Sequence, residues 1–213
     1  YIDYHAEKLE NHQRSIEAIG KALGKEERAA ELKQFYTDHV TKVTDRINKI
    51  SKPKPTVYIE VGMQGPESFG YAFSSNYSWG ALATLCGGDI ITKDVIKTGG
   101  PVNPEFVLEK DPDIIMIGEI RDAKTAELAA RAALTGHLVF STLHTDNAIE
   151  SVMRLEDLGV PPYLISAVLR GVISQRLIRR VCTECGGAGC EACAHTGGKG
   201  RIAVAEIFPI DDS

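Results

Sequence analysis

The stretch "DPDIIMIGEIRD", residues 111–122, decides the fold. An Asp-Pro turn leads into the apolar run "IIMI" at 114–117, and Gly118 and Glu119 follow it directly. A short continuous apolar run between turn residues is typical of a central parallel strand that is covered on both faces. Because ligands of open α/β sheets bind at the carboxyl ends of the strands, we expect Glu119 to point towards a site.

Helical and strand patterns alternate on both sides of this stretch. The patterns predict helices over 25–50, 79–88, 121–136, 146–159 and 161–180, with strands over 56–61, 89–92 and 137–145. Asn103 and Asp122 are predicted to cap helices, and Gly136 to end one. The fold class is therefore α/β, with a mostly parallel sheet and flanking helices, long N-terminal helices and a small C-terminal tetracysteine zinc knuckle.

Composition and charge narrow the possible functions. The 213 residues include 43% hydrophobic and 25% charged residues, and the net charge is −5, which is ordinary for a soluble protein. We expect no nucleic-acid partner, because neither half of the chain is strongly basic. The chain begins with Tyr1 rather than Met, so we expect it to be part of a longer protein.

Three charged or ionisable side chains near predicted strand ends are candidates for chemistry. Glu119 can hold magnesium through water or orient a water at a phosphate, or it can simply be a solvated residue that pairs with Arg121. His144 can stabilise a terminal phosphate, or its ring can be satisfied by the backbone. His137 lies at the opposite end of its strand, and for it we favour the backbone role.

Four cysteines crowd into the segment "CTECGGAGCEAC", residues 182–193. Cys182, Cys185, Cys190 and Cys193 form two C-x-x-C pairs that can supply four thiolates to a tetrahedral structural zinc ion. Four residues separate the pairs, and the glycine-rich connector "GGAG" permits a tight turn. Free thiols or a redox pair are the alternatives.

Residues 111–210 resemble the secretion ATPases, the hexameric motors of type II secretion and type IV pilus assembly. The resemblance rests on "IMIGEIRD" as Walker B segment, "TGHLVFSTLHT" as histidine box, "QRL" at 175–177 and the cysteine tail. It implies catalytic roles for Glu119 and His144, a structural Zn²⁺, and a nucleotide site. That site would contain Glu119, Arg121, His144, Gln175 and Arg176. The sequence also allows a different role for three arginines near the end of the predicted helix over 161–180. Arg176, Arg179 and Arg180 can simply complement the dipole of that helix.

The resemblance further implies Mg²⁺ and ATP as cofactors, other motor subunits and an inner-membrane platform as partners, and a cytoplasmic location at the inner membrane. However, the chain contains no G-x-x-x-x-G-K-[ST] phosphate loop. None of the three Gly-Lys pairs, which begin at Gly20, Gly24 and Gly198, is followed by Ser or Thr. We therefore expect Mg²⁺ and ATP to bind only if a phosphate loop completes the site, and we expect negligible hydrolysis by this chain alone.

Residues 1–118 resemble the periplasmic binding proteins of iron-siderophore and cobalamin importers, through "RSIEAIGKALGKEERAAELKQFYTDHVTKVTDRI", "PTVYIEV" and "CGGD". The resemblance implies a ligand loop with Tyr71, Tyr77 and Trp79, although these aromatic rings can equally be packing residues. It also implies an importer permease as partner and a periplasmic or lipid-anchored location. Glu60 and Glu67 would dock on that permease or be merely solvated.

We therefore expect a fusion, natural or artificial, with its boundary between residues 111 and 118. The predicted segments are a binding-protein-like helical arm and half lobe at 1–113, a secretion-ATPase-like core at 114–181, and a zinc-binding tetracysteine module with a C-terminal strand at 182–213. Three functions stay open: a partial motor ATPase module that is inactive alone, a substrate-binding fragment of an importer, and a fusion without a working site.

Overall fold

The computed structural model describes residues 9–61 and 70–210. The chain divides into two compact units, residues 1–142 and 143–213. Among the described residues, no helix combines the length and the apolar character that a membrane crossing requires. Glu67, which we considered as a docking residue, falls outside the described residues.

Two helices open the first unit, α1 (Leu9–Ala22) and α2 (Glu26–Ile47). They pack against each other so closely that a Cβ on Gly20 would lie 2.4 Å from the Cβ of Ala29. Lys33 on α2 forms an ion pair with Glu17 on α1 at 3.0 Å. The prediction of long helices at the start of the chain is therefore confirmed for the described residues.

A single sheet forms the centre of the first unit. Its strands are β1 (Thr56–Glu60), β2 (Tyr71–Phe73), β3 (Asp89–Ile90), β4 (Gly99–Pro101), β5 (Ile114–Ile117) and β6 (Leu138–Ser141). The order is β4-β2-β1-β5-β6, with β3 also paired to β1. Strands β1, β3, β5 and β6 run parallel, whereas β2 and β4 pair antiparallel. The predicted α/β fold with a mostly parallel sheet is confirmed, and this sheet continues across residue 111 through β1 and β5.

Helices α3 (Ser78–Leu85), α4 (Pro104–Lys110) and α5 (Ala123–Leu134) connect these strands. The core lies on both faces of β1, with Val57 and Ile59 on one face and Tyr58 on the other. Strand β5 is less buried than β1, since three of its four residues are only half-buried. Its neighbour β6 is largely exposed, with Phe140 at 54%. The expectation that β5 is covered on both faces is therefore met only in part.

The second unit contains α6 (Ala148–Asp157), α7 (Pro162–Val168), β7 (Gly171–Val181), a short 3₁₀ turn (Glu191–Cys193) and β8 (Gly198–Pro209). Strands β7 and β8 form an antiparallel ribbon. The predicted helix over 161–180 is wrong beyond Val168, because the chain becomes extended at Leu169 and residues 171–181 pair with β8. The proposed helix-dipole role of Arg176, Arg179 and Arg180 fails with it, since all three lie on a strand.

Two further corrections concern the segment after β1. The predicted ligand loop does not hold together as a loop: Tyr71 lies on β2 and Tyr77 is the residue before α3, whereas Trp79 lies within α3, where the predicted helix over 79–88 begins. The antiparallel strands β2 and β4 were not predicted, because three-residue strands carry too little alternation to be recognised.

Candidate functional site

Gly118 and Glu119 follow β5 at the carboxyl edge of the parallel strands. The Gly118 N–H donates to the Glu60 carbonyl of β1 at 2.9 Å, and the Thr142 hydroxyl donates to the Gly118 carbonyl at 2.8 Å. A Cβ on Gly118 would lie 2.3 Å from the Val61 carbonyl oxygen, so only glycine fits there. The backbone that carries Glu119 is therefore held between the strands on either side of β5.

The Glu119 side chain is buried but not isolated. The residue is 9% exposed, and its Oε1 forms an ion pair with Arg121 Nε at 2.7 Å. The Glu119 carboxylate raises the pKa of Arg121, chiefly through a side-chain hydrogen bond. The pairing that we considered with Arg121 is therefore present, but Glu119 is not a freely solvated residue. A largely desolvated carboxylate at this edge is suited to hold a water or a metal-bound water.

A second carboxylate, Glu60, is buried, which contradicts both roles expected for it. It is 3% exposed, so it neither docks on a partner nor lies in solvent. Its carboxylate accepts hydrogen bonds from the Tyr58 hydroxyl at 2.5 Å and the Gly70 N–H at 3.1 Å. Burial raises the pKa of Glu60, against the opposing effect of these hydrogen bonds. The alternation of side chains along β1 could have indicated this burial, because Glu60 lies on the same face of the strand as the buried Tyr58.

The two histidines have different surroundings. His137 Nδ1 lies 3.0 Å from the Ala132 carbonyl oxygen and its Nε2 lies 3.1 Å from Asp111 Oδ1, which fits the structural role that we favoured. His144 is exposed, lies beyond the end of β6 and belongs to the second unit. The predicted strand over 137–145 ends at Ser141, so His144 is a loop residue.

Residues 143–147, the histidine loop, carry His144 into α6. Arg176 of β7 donates to the Asp146 carbonyl oxygen, with Nε at 3.1 Å. The Thr145 and Ser151 hydroxyls lie 2.8 Å apart. Gln175, predicted beside Arg176 at the nucleotide, points to the opposite face of the ribbon, because neighbouring residues of a strand alternate.

The four cysteines of the second unit converge as predicted. Their Sγ atoms all lie within 4.8 Å of one another, and three Sγ pairs lie at 3.9 Å: Cys182–Cys190, Cys185–Cys193 and Cys190–Cys193. Tetrahedral zinc with Zn–S bonds near 2.3 Å needs Sγ separations of about 3.8 Å. The cluster could therefore hold a metal ion such as zinc.

The backbone around the cysteines favours thiolates at two positions. The Cys190 N–H donates to Cys193 Sγ and the Gly189 N–H donates to Cys185 Sγ, both at 3.2 Å. The backbone hydrogen bond from Cys190 lowers the pKa of Cys193 to about 6, whereas burial and the nearby Cys185 raise the pKa of Cys190 to about 11. Unequal thiol acidities are expected where four sulfurs share a small space and only some can ionise without a cation.

The aromatic residues of the predicted ligand loop are exposed to different degrees. Tyr71 is 41% and Trp79 is 50% exposed, whereas Tyr77 is half-buried and its ring lies 5.5 Å from that of Phe73. Tyr77 therefore has the packing role that we held open, and Tyr71 and Trp79 offer accessible ring faces.

Two family models match the chain. Residues 105–213 match "Type II/IV secretion system protein", and residues 3–136 match "Periplasmic binding protein". The matches overlap over 105–136, the region that contains β5, α5 and all of α4 except its first residue.

The curated relatives support the first match. The type II secretion system protein HxcR of Pseudomonas aeruginosa is 54% identical over 114 residues, which cover 50% of this chain and 24% of that protein. The type IV pilus assembly ATPase PilB of Thermus thermophilus is 47% identical over 132 residues, which cover 49% of this chain and 15% of that protein. The chain therefore spans about a quarter or less of the length of these relatives.

Solved structures support the second match. The TroA-like periplasmic binding protein FepB of Veillonella parvula is 49% identical with a TM-score of 0.54, over 79% of this chain and 54% of that one. IsdE of Staphylococcus aureus, complexed with heme, has a TM-score of 0.54 at 22% identity, over 67% of this chain and 57% of that one, and so shows the fold alone.

Proposed function

Because the chain belongs to the type II/IV secretion system protein family over residues 105–213 and to the periplasmic binding protein family over residues 3–136, we propose that it is a fusion of parts of both. The C-terminal part is the Walker B, histidine-box and zinc-binding portion of a motor ATPase for protein secretion or pilus assembly. In this proposal it does not hydrolyse ATP by itself, and it works only where a phosphate loop completes the site.

The position of Glu119 is the observation that carries this proposal. The carboxylate follows a central parallel strand, is buried to 9% exposure, and is held by Arg121 at 2.7 Å. Gly118 fixes the approach of β5 to β1 just before it. These features suit a carboxylate that must keep one orientation at the phosphate-binding edge of a sheet.

Each chemical role is assigned to a residue of this chain. Glu119 orients the attacking water and accepts its hydrogen bond, while Arg121 keeps the Glu119 carboxylate in place. His144 contributes a hydrogen bond at the terminal phosphate. Bound Mg²⁺ and ATP would supply the phosphoryl group and the charge neutralisation that its transfer requires.

The proposed inactivity of the chain alone rests on the absence of a phosphate loop from its sequence. Phosphate binding in such sites depends on a row of backbone N–H groups and one lysine, and no G-x-x-x-x-G-K-[ST] segment exists in the sequence. The partners in this proposal are other motor subunits and an inner-membrane platform, at the cytoplasmic side of that membrane.

Phosphate release tests the proposal directly. The purified chain and its Glu119→Gln variant should both release inorganic phosphate from Mg²⁺–ATP at the rate of the enzyme-free blank, while a complete motor ATPase serves as positive control. Release by the wild-type chain that Glu119→Gln abolishes would overturn the claim of inactivity. Sequencing of the native coding region across codons 105–125 tests the fusion, which fails if two separate reading frames are found.

The cysteine cluster is proposed to hold one structural Zn²⁺, since four thiolates leave no open coordination position. Elemental analysis after reducing purification should give one zinc per chain. Cys182→Ser should lose the metal, and Cys86→Ser should retain it, because Cys86 lies far from the cluster in sequence and is exposed. Zinc-free wild-type protein would contradict the assignment.

A second candidate function follows from the exposed rings of Trp79 and Tyr71 together with the 49% identity to the FepB structure. In it, the N-terminal part binds an iron-siderophore or cobalamin ligand for an importer permease in the periplasm. Trp79 is the only tryptophan of the chain, so its fluorescence reports ligand binding. Saturable quenching of Trp79 fluorescence by one member of a panel of ferric siderophores and corrinoids would support this function. Unchanged fluorescence with every member would exclude binding of the tested ligands.

A further inference from the structure

The histidine loop, residues 143–147, is held by two side chains of the β7–β8 ribbon. We propose that Arg176 and Glu206 are positioning residues that fix this loop, and that Arg176 is not a nucleotide ligand. The importance of holding His144 rests on the proposed function, whereas the contacts themselves do not depend on it.

Arg176 forms hydrogen bonds with the backbone of the histidine loop. Its guanidinium donates from Nε and Nη2 to a single acceptor, the Asp146 carbonyl oxygen, and Nη2 also lies 3.5 Å from Asp146 Oδ1. Hydrogen bonds from a charged donor are stronger than neutral ones, and the planar fork sets the direction of the bound carbonyl. A guanidinium engaged in this way has fewer N–H groups left for a phosphate.

Glu206 holds the other end of the loop. Its Oε2 accepts the N–H of Ala148 at 3.0 Å, and Ala148, the first residue of α6, is fully buried. Asn147 accepts the Glu150 N–H at 2.9 Å, and Glu150 in turn accepts the Asp146 N–H at 3.0 Å. The backbone N–H groups of Ala148 and Glu150 at the start of α6 therefore already donate to side-chain oxygens of this chain, so they are not available to bind a phosphate.

The two positioning residues lie on the same face of the ribbon. Glu206 pairs with Ser174, and Arg176 lies two residues further along β7, which makes Arg176 and Glu206 diagonal neighbours. Gln175 lies on the opposite face, where it pairs with Ala205. Although Gln175 and Arg176 are adjacent in sequence, the strand therefore gives them separate surroundings, and only Arg176 reaches the histidine loop.

Hydrogen exchange measures how firmly the loop is held. We expect Arg176→Gln and Glu206→Ala to speed amide exchange of Asp146 and Ala148 by roughly tenfold, because each removes hydrogen bonds that stabilise the loop locally. Glu206→Gln should stay close to the wild-type rate, because its carbonyl oxygen still accepts the Ala148 N–H. Arg179→Gln is the matched control, since it removes the same charge from the same strand but from the other face, and it should change nothing.

A second measurement separates positioning from general stability. The imidazole NMR resonance of His144 should shift in Arg176→Gln, while that of His137 stays in place and the melting temperature stays near the wild-type value. Wild-type exchange at Asp146 in Arg176→Gln, or equal exchange rates in Glu206→Ala and Glu206→Gln, would overturn the proposal. If Arg176→Gln unfolds, the comparison of Glu206→Ala with Glu206→Gln still decides, and if Glu206→Ala unfolds, the exchange rate of Asp146 in Arg176→Gln still decides. No nucleotide is used, so this test can fail or succeed independently of the ATPase proposal.

Discussion

Asp113 and Thr56 exchange three hydrogen bonds where β5 and β1 begin side by side. Asp113 Oδ2 accepts from the Thr56 N–H and from the Thr56 hydroxyl, both at 2.7 Å, and the Thr56 hydroxyl accepts from the Asp113 N–H at 2.9 Å. Thr56 belongs to the binding-protein match alone, whereas Asp113 lies where both family matches overlap. The pair therefore links the starts of β1 and β5 by hydrogen bonds, in the region where the two families meet.

Thr56→Val is expected to destabilise the chain by about 1 kcal/mol, because it removes the hydroxyl that both donates and accepts while keeping the side-chain shape. The side-chain hydrogen bond from Thr56 is the main cause that lowers the pKa of Asp113. A lowered carboxyl pKa stabilises the folded chain above the unfolded value of 3.8 and loses that effect as the pH falls through the folded pKa. The difference in unfolding free energy between the wild-type chain and Thr56→Val, measured with denaturant, should therefore be larger at pH 7 than below pH 3.8.

Thr41→Val is the matched control, because Thr41 is exposed on α2. It should unfold like the wild-type chain at both pH values. A Thr56→Val variant as stable as the control would show that the Asp113–Thr56 contact does not hold the strands.

Gly118→Ala is expected to cost about 1–3 kcal/mol, the range typical of an added methyl group in a packed site. The new Cβ would lie 2.3 Å from the Val61 carbonyl oxygen, and this backbone atom cannot move aside as a flexible side chain can. Gly198→Ala serves for comparison, because its Cβ would meet ordinary contacts of 3.5 Å or more. Equal denaturation midpoints for the two variants would contradict the close approach of β5 to β1.

Glu60→Gln is expected to alter the pH dependence of stability. Burial raises the pKa of Glu60 above 4.5, so the folded chain binds this proton more tightly than the unfolded chain does. Ionisation then destabilises the wild-type chain progressively as the pH rises above 4.5 through the folded pKa. The stability of Glu60→Gln relative to wild type should therefore increase between pH 4.5 and pH 7.5, as measured by urea unfolding.

Glu109→Gln, at an exposed position of α4, should show no such trend. If the Glu60→Gln difference is the same at both pH values, Glu60 is not a buried acid with a raised pKa.

The sequence was sufficient for features that depend on local chemistry. Asn103 caps α4 by accepting the Glu105 N–H at 3.0 Å, and Asp122 caps α5 by accepting the Thr125 N–H at 2.9 Å, both as predicted. Gly136 adopts a φ of 107° just after α5, as a helix-ending glycine should. The convergence of the four cysteines was also predictable, since the spacing of two C-x-x-C pairs leaves little choice.

Features that depend on distant partners were missed. The helix predicted over 161–180 includes residues 171–180, and "RLIRR" contains good helix formers, but pairing with β8 makes the extended form more stable. The Arg176–Asp146 contact was hidden for the same reason, since it exists only when residue 176 lies on a strand. The segment boundaries at 113 and 181 follow from the two family resemblances and from the start of the cysteine segment, whereas the division after Thr142 reflects contacts that no local pattern reveals.

Metal removal is expected to loosen the ribbon at the cysteine cluster first. The Cys182 N–H donates to the Gly197 carbonyl at 2.9 Å, and β7 ends at Val181 opposite Gly198, so the cluster closes the end of the ribbon. Without the metal ion the coordination bonds that join the four sulfurs are lost, and a one-residue slip of β7 on β8 would turn Arg176 to the wrong face. A zinc chelator should therefore speed exchange of the amides at Cys182 and Gly198, and then that of Asp146, whereas the amides of β1 and β5 should keep their rates. The Cys86→Ser variant should respond to the chelator as the wild type does, and unchanged exchange at Cys182 after complete zinc loss would show that the metal does not fix the ribbon.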